Sequence, residues 1–120
     1  MLLSACGSSD IGQDAATACG WNEPSEPIVS AVDSSPEELV RNVERAQLRL
    51  AAAERVADAD SRFAALAEAL SETADFAKEL TSLTKDEIID IDNERWDFAK
   101  YAQAVARDQC EQLAGVVGRE

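Results

Sequence analysis

The sequence predicts an all-α fold: a small up-down-up three-helix bundle with an extended N-terminal lead packed along it. Three observations predict it. No glycine or proline occurs between Glu37 and Ala114; the five glycines (7, 12, 20, 115, 118) and three prolines (24, 27, 36) all lie outside. These are the residues that punctuate a chain most strongly. The uninterrupted stretch is rich in Ala, Leu, Glu and Arg, which gives it high helix propensity throughout. Its apolar residues recur at three-four spacing in three separate sets, and each set defines one helical face.

The first helix, 36–57, has a clear start. In Ser35-Pro36-Glu37-Glu38, serine stands at the N-cap, proline at the first helical position and glutamate three residues after the cap, forming a capping box. Leu39, Val43, Ala46, Leu50, Ala53 and Ala57 form its stripe. The second set, Phe63, Leu66, Leu70, Ala74, Ala77 and Leu80, is out of phase with the first. At about 100° per residue, Phe63 lies well over 90° from the stripe of Leu50. A straight rod would point the two faces apart, so the reading requires a break at Asp58-Ala59-Asp60-Ser61, where Asp and Ser can cap a new helix. The second helix is therefore 61–82.

Thr84-Lys85-Asp86-Glu87 is a second capping box and opens the third helix. Ile88, Ile91, Ala99, Ala102, Ala106 and Leu113 share one face, flanked by Phe98 and Val105, and Gly115 is the expected C-cap. Asp92 and Arg95 fall inside this stripe, which predicts an irregularity near 90–93 with Arg95 paired to an acid. The 22 alanines make a core in which helices approach closely but each buries little area, so such a domain benefits from a covalent staple.

Leu3-Ser4-Ala5-Cys6 resembles the lipobox of bacterial lipoproteins, and Gly7-Ser8-Ser9-Asp10 resembles the polar tether that follows one. The resemblance covers about ten residues and names a processing class, not a fold. It implies lipidation of Cys6 and residence at the cell membrane, lipid-anchored on its extracytoplasmic face. Small residues before the cysteine suit a peptidase that cuts next to an already acylated thiol. Only Met1 and Leu2 precede the box. A signal peptide needs a basic region and ~7–15 apolar residues, so the expectation is a truncated leader. Acylation of Cys6 would leave Cys19 and Cys110 as one pair, which an oxidising compartment would join; the alternative is three reduced thiols. The expected organisation is a signal-peptide remnant (1–5), a flexible tether and lead (6–35), the bundle (36–114) and a C-terminal tail (115–120). Cys110 falls at the end opposite the start of helix one. Residues 20–35 would therefore run back along a groove, burying Ile28, Val29 and Val32; sixteen residues reach ~50 Å.

Composition narrows the function. Net charge is −13, from 24 acidic and 11 basic residues, so a nucleic-acid backbone or an anionic headgroup layer is repelled. There is no histidine, which removes the commonest general base and transition-metal ligand. The acidic run Asp86–Glu94 lacks the central glycine and the spacing of a helix-loop-helix calcium site and reads as a solvated stripe with Asp86, Asp90 and Asn93 in line. Arg41, Arg45 and Arg49, with Glu37 and Glu44, read as a salt-bridged exposed face or one paired with the acidic start of helix three, with docking of an acidic partner as the rival. Trp96, Phe98 and Tyr101 read as core, with a partner groove as the rival. No catalytic, cofactor or metal site is expected.

The composition resembles that of small lipoproteins of high-GC Gram-positive bacteria. The expectation is a membrane-anchored extracytoplasmic helical lipoprotein, a non-enzymatic protein-interaction module of the cell envelope with a protein partner. The alternative is an acidic inhibitor or immunity-type protein that neutralises a cationic toxin or envelope hydrolase.

Overall fold

A computed structural model describes residues 2–22 and 34–118, with side chains from Ile11 onward. The fold is all-helical. Among the described residues there are five α-helices: α1 (Leu2–Cys19), α2 (Pro36–Ala59), α3 (Ala64–Thr81), α4 (Lys85–Ile89) and α5 (Asn93–Val116). The molecule is elongated, 56 × 25 × 23 Å.

The expected starts rest on real caps. The Ser35 hydroxyl accepts from the Glu38 N–H at 3.2 Å, and the Glu38 carboxylate accepts from the Ser35 N–H at 3.0 Å. Thr84 and Glu87 repeat the exchange at 3.2 and 2.9 Å. The break between the first two stripes is a short 3-10 turn, Ser61–Phe63. Asp60 is extended there (φ −148°), and its carboxylate accepts from the Arg62 N–H. The turn rotates Phe63 onto the core, where it is almost fully buried.

Four expectations need correction. Residues 6–19 were expected as tether and lead, but they belong to α1. The C-terminal half of α1 is held against α2: Ala15 and Ala18 are buried in one cluster with Ala52, Ala53 and Val56. Asp14 also pairs with Arg55 at 2.9 Å. Packing of this kind, not propensity, supplies most helical stability in proteins. The third helix is two helices, because the chain breaks at Asp90–Asp92 between α4 and α5. The break lets Ile88 stay buried while Arg95 turns aside to meet Glu79 on α3. Asp86, Asp90 and Asn93 therefore do not share one helical stripe. Finally, α5 runs through Gly115 to Val116, past the expected boundary at 114. Val117 still packs on the main core, so burial continues beyond Gly115, and Gly118 takes the left-handed turn (φ 77°) instead.

Two clusters make the core. The larger joins α1, α2, α3 and α5 through Ala15, Ala18, Ala52, Ala53, Val56, Phe63, Leu66, Leu70 and Leu113. The smaller joins Leu39, Leu80 and Ile88, with Phe76, Leu83, Ile91 and Trp96 packed around them. The first stripe shifts along α2. Leu39 keeps its expected place, while Ala52 and Val56 replace Ala57 as buried positions because α1 covers a second face of the helix. Ile28, Val29 and Val32 lie outside the described residues.

Candidate functional site

The end of α1 positions the first element of the site. Gly20 adopts φ 66° immediately after Cys19. The Trp21 N–H then donates to the Ala16 carbonyl (3.0 Å), and the Gly20 N–H donates to that of Thr17 (3.3 Å). This is the double bond pattern of a Schellman ending, for which glycine is the suited residue. It folds Trp21 back onto the main core and fixes Cys19 at the last helical position. There its Sγ lies 2.10 Å from that of Cys110, at disulfide distance, with Cα atoms 5.8 Å apart. Cys6, the expected lipid-bearing residue, has a helical backbone, and its side chain lies outside the described ones.

A groove of about 1000 Å³ opens beside this pair, between α2, α3 and α5. Leu70, Phe76, Leu80, Trp96 and Ala99 make its walls apolar, while Arg45, Arg49, Lys100 and Arg107 stand along it with Glu111 as the sole acid among the described lining residues. In a protein of charge −13, this is a local reversal of sign. Arg41 and Arg45 of the expected salt-bridged face are exposed and Arg49 is half-buried; Arg45 and Arg49 border the groove.

The three aromatics of α5 do not act together. Trp96 is half-buried in the smaller core and meets Phe76 edge-to-face at 5.1 Å. Phe98 is 56% and Tyr101 68% exposed. Their expected placement in the core is therefore corrected for two of the three. Residues two apart on a helix point about 160° from one another, so Trp96 and Phe98 cannot share a face. That spacing was the available signal in the sequence.

Ion pairs brace the site without suggesting chemistry. Arg95 grips Glu79 with both terminal guanidinium nitrogens, Nη1 and Nη2. That hydrogen bonding holds the Glu79 carboxyl below its ordinary value and the Arg95 guanidinium above its own. The Arg62 side chain does the same for Asp60. Glu38 is lowered first by the Ser35 backbone N–H and then by its hydroxyl. All of these are surface capping or bracing interactions. Among the described residues, no group of three or more Cys, Asp or Glu is placed to hold a metal ion. Among them, too, no helix is long and apolar enough to cross a membrane. Comparison with protein-family models, curated proteins and solved structures gives no match to this chain.

Proposed function

We propose that this chain is a membrane-anchored extracytoplasmic lipoprotein whose helical domain is a non-enzymatic protein-interaction module of the cell envelope. One observation carries the reading. Cys19 and Cys110 stand at bonding distance, which leaves Cys6 as the odd cysteine, and Cys6 closes the lipobox-like Leu3-Ser4-Ala5-Cys6. A disulfide belongs outside the cytoplasm, and so does the cysteine that a lipobox marks for lipidation. In this reading α2, α3 and α5 form the up-down-up bundle; the expected course of the lead along it lies outside the described residues.

The net charge of −13 favours a second reading, an acidic inhibitor of a cationic toxin or envelope hydrolase. Salt separates the two: charge-steered inhibition slows steeply as ionic strength rises, whereas docking on an apolar face does not. The address is tested by expressing the chain behind a complete signal peptide. The protein should partition into detergent, and Cys6→Ser should release it to the aqueous phase. Partitioning that survives the substitution would overturn the lipid anchor.

A further inference from the structure

We propose that the outer face of α5 is a docking surface for an amphipathic helix of a partner protein, one with an apolar stripe and basic flanks. The proposal rests on the chain's reading as an interaction module and is independent of its membrane anchor. Its basis is an exposed apolar line on α5 that borders the face entering the core. Phe98, Val105 and Val116 fall within about 20° of a common direction, and Tyr101 about 50° to one side. Phe98, Tyr101 and Val105 cover ~10 Å of the helix at 1.5 Å per residue, and Val116 continues the line beyond Gln109 and Gln112, which lie on it. Ala102 and Leu113 take the buried face, while Phe98, Tyr101 and Val116 are 56%, 68% and 45% exposed and Val105 is half-buried. The three- and four-residue steps between Phe98, Tyr101 and Val105 are those at which one helix anchors another. A run of large apolar side chains left in water on one line is the usual mark of an interaction site, and tyrosine is among the residues that dominate such contacts.

The flanking charges decide the occupant. Glu94, Asp97 and Asp108 are exposed on the same side of α5 as the stripe. Lys100 and Arg107 border the groove, about 150° round the helix. Arg95 is held by Glu79. The rim of the stripe is thus acidic without a compensating base from α5. A second copy of the chain would set acids against acids. Segment 23–33 brings three acids and no base, so it meets the same repulsion. A helix with Lys or Arg beside its apolar stripe satisfies both the stripe and its rim, as charges at the flanking positions of coiled coils select partners.

The test uses the full chain carrying Cys6→Ser, with Cys19 and Cys110 oxidised. The probes are three synthetic peptides of about three heptads: a Leu/Ile stripe flanked by Lys, the same stripe flanked by Glu, and a scramble of the Lys peptide. Calorimetric titration should show binding of the Lys-flanked helix, with the other two at least about tenfold weaker. Phe98→Ala with Tyr101→Ala should weaken the Lys-flanked helix about tenfold or more, with the melting temperature unchanged. Asp97→Lys with Asp108→Lys should transfer the preference to the Glu-flanked helix. Equal binding of the scramble would reduce the effect to net charge and overturn the proposal, as would indifference to the aromatic pair. Self-association by sedimentation that is abolished by Phe98→Ala and Tyr101→Ala would make a second copy the occupant and overturn it as well. Detergent partitioning of Cys6 is read in cells, so a failed anchor and a failed docking face are separate results.

Discussion

Phe76 of α3 and Trp96 of α5 meet edge-to-face, their ring centroids 5.1 Å apart and their planes at 86°. The Arg95 guanidinium lies 5.5 Å from the Phe76 ring and is held there by Glu79. This contact ties α3 to α5 at the end of the molecule where the core is smallest. Trp96→Ala should therefore cost about 2–3 kcal/mol, a reduced version of the loss from a fully buried aromatic. Phe98→Ala, two residues away, should cost under about 1 kcal/mol. Urea denaturation of the two variants checks the split; equal losses would mean that Phe98 is a packing residue too.

Joining Cys19 to Cys110 closes a loop with a sequence separation of 91 residues. The chain-entropy account gives such a loop about 4–5 kcal/mol, less any native strain. That is a large share of the stability of a domain this small. Reduction should lower the melting temperature by many degrees, and Cys110→Ser should reproduce the loss without reductant. Mass spectrometry of the unreduced exported protein is decisive: free thiols at Cys19 and Cys110 would sink the link.

Backbone freedom should be felt unequally along α2. Ala46 is in its interior, so Ala46→Gly should cost about 1 kcal/mol. Ala59 is its last residue, exposed beside the Asp60 turn, and Ala59→Gly should cost a fraction of that. Ser35→Ala removes the first half of a capping box and should cost about 1 kcal/mol. Thermal melts of the three variants rank them.

Acid should destabilise the fold through identifiable carboxylates. Glu79 is held below its ordinary 4.5 by the Arg95 side chain, Glu38 below 4.5 by Ser35, and Asp60 below 3.8 by Arg62. Folded-state values below unfolded ones mean that the unfolded chain takes up protons first as pH falls. Their contribution is thus complete above the ordinary values and lost as pH drops through the folded ones. The urea midpoint should be sustained down to about pH 5 and fall below about pH 4.5. Glu79→Gln should show a smaller acid loss than the parent chain; an identical loss would remove Glu79 from this account.

What the sequence discloses is mostly local. Both capping boxes are readable because each is closed within four residues, Ser35 to Glu38 and Thr84 to Glu87. The turn at Asp60 is readable because two stripes out of phase cannot share a straight helix. Arg95 is readable as a misfit in an apolar face, but Glu79 as its partner is not, since that pairing depends on how α3 and α5 align. Helix α1 is hidden for a different reason. Among its described side chains the buried ones are Ala15 and Ala18, too small to draw a visible stripe, and glycines interrupt the sequence at 7 and 12. Gly115 misleads because nothing in its neighbourhood reveals that Val117 still reaches the core. The groove and the outer face of α5 required the three-dimensional arrangement, although the opposed directions of Trp96 and Phe98 follow from helical geometry alone.

The link between Cys19 and Cys110 also fixes how the molecule would carry a load. A pull applied ahead of Cys19 travels down α1 and crosses to α5 through a single covalent bond. For a grip on the stripe of α5 the segment from Gly20 to Asp97 is bypassed, with both capping boxes, the turn at Asp60 and the smaller apolar cluster out of the line of tension. The helix that receives the force is also the one whose exposed stripe runs from Phe98 to Val116. A tether at the N-terminus and a grip on α5 would therefore be connected by bonds that do not yield when the helices between them slip.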